Sequence, residues 1–190
     1  MPKMSNVNSK QWRTTTSHWG WFSIGIHWLT VITVLSLFAL GLWMVELNLY
    51  DAWYKKAPNL HKSIGILLLV LTLLRIVWRR IEGKPEPLSS HTAREQRIAK
   101  LMHILLYTLL ISVMVFGYLI STADGRGIEV FGLLSIPATL HGLDKQEDIA
   151  GVIHLWLAVI LISMVVLHAL AAIKHHFIDK DQTLKRMLGR

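Results

Sequence analysis

Two histidines, His154 and His168, stand fourteen residues apart in an otherwise apolar stretch, GVIHLWLAVILISMVVLHALAAIKHH. Fourteen residues are nearly four helical turns, so on a helix both imidazoles face one way, roughly 21 Å apart along the axis. His61 and Arg75 repeat that spacing upstream. Neutral imidazole is a ligand for transition metals and haem iron, and a planar guanidinium suits a carboxylate partner. The chain has ten histidines in 190 residues and no cysteine. Disulfides, iron–sulfur clusters, thiol catalysis and covalent CxxCH haem attachment are therefore excluded. Imidazole ligation is the chemistry left open.

Those side chains need elements to hold them, and hydropathy supplies these. Hydrophobic residues make up 53% of the chain and charged ones 17%, against roughly 25% charged in an average soluble protein. Four runs are long enough to cross a bilayer core as helices, at about 21–45, 60–78, 98–121 and 149–173. None shows strand-like alternation, and only helices or closed barrels satisfy their backbone in lipid. The expected fold is all-α: an integral membrane four-helix bundle, with residues 1–190 forming a single transmembrane domain. The opening residues read as a polar tail and not as a cleavable leader. The connection from Thr122 to Asp148, with its STADGRG run and Pro137, predicts a turn followed by a short interfacial helix.

Charge fixes the orientation. The N-terminal tail, the 79–100 connection and the C-terminal tail, taken with Arg75, hold 15 of the 20 Lys and Arg residues. The other two connections hold Lys55, Lys56, Lys62, Arg126 and Lys145. Positive charge stays inside, so both termini are expected in the cytoplasm. Trp19, Trp21 and Trp78 then mark the inner interface, and Trp43, Trp53 and Trp156 the outer one. The net charge of +8 is thus a membrane signature, contact with membrane lipid is implied, and no nucleic-acid motif accompanies it.

With alternating helix directions, His61 and His154 fall at the outer level, and His27, His103 and His168 at the inner one. Ionisable side chains facing lipid are costly, so the histidine face of the fourth helix should point into the bundle. Two sites follow, stacked across the membrane, each with one ligand from that helix. Zinc prefers four N, S or O ligands, and neither level offers a thiolate or membrane carboxylate to complete such a set. Paired histidines inside a four-helix bundle suit non-covalent haem b. Arg75 lies at the inner depth, where a haem propionate would serve as its anion. Gly65 and Gly117 suit either a flat macrocycle or close helix packing. At this point His27 and His103 remain rival partners for His168.

The motifs IHWLT, LHKSIGILLLVLTLLRIVWR, MHILLY and IHLWLAVILISMVVLHALAAIKHHFIDKDQTLKRM resemble those of the bacterial di-haem cytochrome b561 family, from about Trp19 to Met187. The resemblance implies an inner-membrane bundle with two haem b groups exchanging electrons with quinone. It assigns the outer haem iron to His61 and His154, and the inner one to His27 and His168. His103 then lies beside the inner haem without ligating it. The family includes members that oxidise superoxide and reduce ubiquinone.

Other residues complete the reading. His175 and His176, with Lys180, stand at the inner interface, either as a solvated helix end or, with His103, as a quinone region. His18, His91 and His141 are expected at the surface. Met44, Met102, Met114 and Met164 are expected as packing residues. Lys55, Lys56 and Lys62 cluster outside His61, suiting headgroups or an anionic donor. The leading function is a transmembrane relay of single electrons between a periplasmic-side donor and membrane quinone. Alternatives are a superoxide:ubiquinone oxidoreductase and the haem-bearing anchor of a periplasmic redox protein.

Overall fold

The computed structural model describes residues 12–190; the first part of the polar N-terminal tail lies outside the described residues. Four long helices, each long and apolar enough to span a membrane, dominate: α1 (Trp21–Met44), α2 (Lys56–Glu82), α3 (Ala93–Ser121) and α4 (Gln146–Phe177). A short α5 (Thr183–Met187) follows in the tail. The expected four spans are present, and α2, α3 and α4 run beyond the apolar stretches into polar sequence at their ends. Local chemistry explains the extensions. Thr92 and Glu95 form a reciprocal capping box that starts α3, Arg79 and Arg80 favour the carbonyl end of α2, and Glu147 and Asp148 favour the start of α4.

The predicted interfacial helix in the outer connection is corrected by the structure. Residues Ile128–Val130 (β1) and Leu134–Ile136 (β2) pair antiparallel, with Ile128 opposite Ile136 and Val130 opposite Leu134. The alternating Ile-Glu-Val segment favours strand over helix. Phe131 and Gly132 both adopt positive φ at the turn (51° and 70°), which matches the twist of a hairpin. Phe131 is held in that uncommon conformation by its backbone N–H, which donates to Ser63 Oγ at 3.0 Å.

The helices pack α3 on α4 and α1 on α2, with α2 meeting α3. Val34, Leu37, Leu68, Leu109, Leu110 and Leu161 form the buried core, with at least one residue from every long helix. Met114 and Met164 pack against it, as expected. Outward, the helices present apolar side chains such as Leu29, Ile32, Leu73, Leu74, Val152 and Leu170. A predominantly apolar exterior of this extent belongs to a protein solvated by hydrocarbon. Buried Thr72 bonds the carbonyl of Leu68, one turn back, so its hydroxyl needs no water.

The described part of the N-terminal tail, from Trp12 onward, and the C-terminal tail gather at one end of the bundle, with the 83–92 connection. Trp28 Nε1 donates to the Met187 carbonyl at 2.9 Å, and Arg186 Nη1 donates to the Glu86 carbonyl at 2.9 Å. Glu82 is the hub of this tail end. Its carboxylate accepts from Thr14 N (2.9 Å), Thr14 Oγ1 (2.7 Å), Ser23 Oγ (2.7 Å) and Trp78 Nε1 (3.0 Å). Replacing Glu82 with alanine strands those donors, and the expected loss is about 1–3 kcal/mol. Thermal unfolding in detergent, followed by circular dichroism, should show a lower midpoint for Glu82→Ala and a smaller drop for Glu82→Gln. The same midpoint in Glu82→Ala would show that the hub carries no stability.

Candidate functional site

The bundle interior is organised in steps of seven residues, which return a helical side chain to the same face of a left-handed bundle. On α4 the series is His154, Leu161, His168; on α2 it is His61, Leu68, Arg75. The two antiparallel helices run the other way: Gly41, Val34, His27 on α1 and Gly117, Leu110, His103 on α3. Each step rises about 10 Å. The middle members of all four series lie in the buried core. An apolar layer therefore separates two polar ones.

In the outer layer, towards the hairpin, the His61 and His154 rings stand 6.2 Å apart between centroids, inclined at 70°. Metal–imidazole bonds are about 2 Å long, so this separation suits two rings sharing one ion. His154 Nδ1 lies 2.8 Å from the Val113 carbonyl. A carbonyl only accepts, so Nδ1 carries the proton and Nε2 is left with a free lone pair, the arrangement that orients ligating imidazoles. His61 Nδ1 is buried without a partner among the described residues, a cost that ligand binding can offset. Glycine on the opposing helices makes this room. A Cβ on Gly41 would stand 3.3 Å from His61 Cε1, and one on Gly117 3.0 Å from His154 Cε1. Gly65 faces open space on the wall of an adjoining cavity of about 440 Å³, which His61, His154, Phe38 and Met114 also line. That volume is within the range of cofactor pockets. The outer donor set and its cavity fit a haem.

The outer connection covers this cavity. Ser63, two residues past His61, donates to the Glu129 carbonyl at 3.3 Å besides holding Phe131. Tyr118, next to Gly117, donates to the Pro137 carbonyl and accepts from Thr139 N, both at 2.8 Å. Lys62, Asp124, Arg126 and Glu147 also line the cavity. Arg126 hydrogen bonds hold the Asp124 carboxyl below its usual range. Arg126 is thus paired, and no uniform anion funnel results.

The inner layer is arranged differently. The His103 and His168 rings stand 5.4 Å apart. His27 Nδ1 accepts from Arg75 Nη2 at 2.8 Å, and the Arg75 guanidinium lies 5.6 Å from the Tyr107 ring centre. The structure thus brings His103 to His168 and Arg75 to His27. His103 donates through Nδ1 to the Ala99 carbonyl at 2.7 Å, which also leaves its Nε2 lone pair free. Tyr107 Oη is buried without a partner among the described residues. A half-buried guanidinium that meets an imidazole and an aromatic ring suits an anion brought by a cofactor. The inner residues, three imidazoles and one arginine, also fit a haem.

Beyond this layer, His176 Nδ1 is buried without a partner among the described residues, and Lys180 is exposed at a positive φ of 54°. His175 joins a cluster with His91 and Asp181. His91 is therefore not the free surface residue expected, because the tail folds back over it; His18 and His141 are exposed. Burial raises the Asp181 carboxyl, but hydrogen bonds from Thr183 and His91 and the charge of His175 outweigh it and hold it at about 2.

Paired imidazoles within an apolar four-helix membrane bundle define a membrane cytochrome. A family model described as prokaryotic cytochrome b561 matches residues 18–190, and the chain belongs to that family of haem-b electron-transfer proteins of the bacterial inner membrane. It is 51% identical over 176 residues to cytochrome b561 homolog 2 of Escherichia coli K12, covering 93% of this chain and 94% of that relative. It is 31% identical over 172 residues to a Yersinia pestis protein named a probable superoxide oxidase, covering 88% and 93%. It is 27% identical over 174 residues to cytochrome b561 homolog 1 of Escherichia coli K12, covering 88% and 94%.

Proposed function

We propose that the chain uses paired imidazoles to hold two b haems and relays single electrons across the inner membrane between a periplasmic-side donor and membrane quinone. The observation that carries this reading is the pair of histidine layers one heptad to either side of a shared apolar layer. Haem b supplies a one-electron couple when bound. His61 and His154 hold the outer group, and His27 and His168 the inner one. Arg75, which now contacts His27, would hold a propionate of the inner group, for which its forked geometry is suited.

The apolar layer keeps the interior dry and the two levels fixed. The excess of lysine and arginine at the tail end supports a cytoplasmic location for that end. Quinone reduction consumes protons, so groups able to move them belong at that end. His103, with its free Nε2, and His176, with its unpartnered Nδ1, suit the task; His175 and Lys180 stand beside them in the quinone region. At the hairpin end Lys62 gives the cavity a local positive charge towards an anionic donor.

A superoxide:ubiquinone oxidoreductase is the second reading, favoured by the Yersinia pestis relative and by Lys62 at the outer cavity. One experiment separates the cases. Haem-loaded protein is reconstituted with ubiquinone in sealed vesicles, hairpin end outward, and given a membrane-impermeant reductant. Reduction of both haems followed by ubiquinol formation is expected. Reduction of one haem with no ubiquinol would overturn the relay. Haem reduction by a superoxide pulse, outrunning spontaneous dismutation, would establish the second reading as well; no such reduction would remove it.

A further inference from the structure

At the tail end, three segments distant in sequence converge on one carboxylate. His91 lies in the connection between α2 and α3, His175 in the last turn of α4, and Asp181 in the tail just before α5. His91 Nε2 and His175 Nδ1 are each 2.9 Å from the same oxygen, Asp181 Oδ2. The imidazole rings are 4.9 Å apart, and the three candidate donor atoms all lie within 4.8 Å of one another. The Asp181 side chain is 5% exposed, and those of His91 and His175 are 19% and 20% exposed.

Hydrogen bonding explains only part of this convergence. Thr183 N donates to Asp181 Oδ1 at 2.7 Å, which turns Oδ2 towards the rings. His91 makes a hydrogen bond to Oδ2. His175 Nδ1 does not: it is buried and close to Oδ2, yet not aligned to donate. Asp179 Oδ2 lies 3.0 Å from the same nitrogen and is itself paired with Lys174 at 2.7 Å. Two imidazole nitrogens and an ionised carboxylate oxygen around one point are the donor set of a divalent transition ion, and for zinc such a set leaves one position open.

We propose that His91, His175 and Asp181 form a binding site for a divalent transition metal ion, zinc by its donor chemistry, separate from both haem levels. Asp179, whose Oδ2 is 3.0 Å from His175 Nδ1, stands beside this set. Ligation would replace the misaligned contact of His175 and join the α2–α3 connection, the end of α4 and the tail through one ion. The site lies one heptad, about 10 Å of helix, beyond His168. While the ion is bound His175 serves it, and the quinone region keeps His103, His176 and Lys180.

The test uses tag-free, haem-loaded protein in detergent, treated with chelator and titrated with zinc by calorimetry, with elemental analysis of the product. One zinc per chain is expected in addition to the haem iron, together with a higher thermal midpoint when zinc is present. His91→Ala and Asp181→Asn should each weaken binding by more than roughly 100-fold, beyond the 10–100-fold range of outer-shell changes. Both variants should retain the haem content of the parent, which reports folding. His91→Gln, which keeps a polar side chain of similar reach, serves if His91→Ala loses its haem. Absence of saturable zinc binding would overturn the proposal, as would binding unchanged in folded Asp181→Asn and His91 variants.

Discussion

Replacing His154 with alanine is expected to halve the haem content, from two groups per chain to one, and to leave the inner group spectrally unchanged. The apolar layer of Val34, Leu68, Leu110 and Leu161 lies between the two levels. Loss of one imidazole therefore removes a ligand without opening the other site. A pyridine haemochrome assay normalised to protein gives the stoichiometry. Gly117→Leu should have the same effect through packing alone, because a Cβ there would already stand 3.0 Å from His154 Cε1 and 3.2 Å from Nδ1. That contact is tight before the rest of the leucine is placed, and a displaced ring loses the Val113 bond that orients it. Gly25→Ala is the control, since among the described residues nothing lies within 4 Å of a Cβ at that position. Two haems retained in His154→Ala would refute the outer pairing.

The second large effect separates two histidines that the structure places close to one site. His168→Ala and His27→Ala should each remove the inner haem, whereas His103→Ala should retain both. The geometry makes this a sharp test. His27 accepts from Arg75, which puts its own proton on Nε2, while His103 already has a free Nε2 and its ring stands 5.4 Å from that of His168. For His27 to ligate, Arg75 must turn from it to an anion, and a propionate is that anion. Arg75→Met should accordingly weaken retention of the inner haem several-fold in a haem-transfer assay to apomyoglobin. Retention of both haems by His27→Ala, with loss of one in His103→Ala, would reverse the inner assignment.

Much of the site was legible because membranes impose simple rules. Apolar length marked the four spans, lysine and arginine bias grouped the polar segments, and the fourteen-residue interval on α4 put His154 and His168 on one face. The same arithmetic paired His61 with Arg75. The seven-residue step that also runs through Gly41, Val34, Leu110 and Gly117 was equally present in the sequence. It becomes informative only when all four helices are aligned by depth, because a glycine has no chemistry of its own to draw the eye.

Three features were not legible. The hairpin at 128–136 depends on Ser63, a residue of α2 that holds the backbone of Phe131 in an uncommon conformation. The contact spans 68 positions, and local turn signals do not reveal it. The meeting of His91 with Asp181, 90 positions away, depends on the tail folding back under the bundle. The inner layer is the third case. Depth placed His27, His103 and His168 together, but depth does not say which rings face each other.

What the sequence determined by itself is therefore the number of spans, the gathering of lysine and arginine in alternate connections and the faces on which imidazoles recur, since each depends on composition and helical period along the chain. Tertiary structure alone decided which residues meet across helices: His61 with His154 beneath a hairpin, Arg75 with His27, and His91 with His175 and Asp181. Those contacts depend on helix rotation and on long-range closure of connections. Both are set by packing across the whole bundle, and no single segment encodes them.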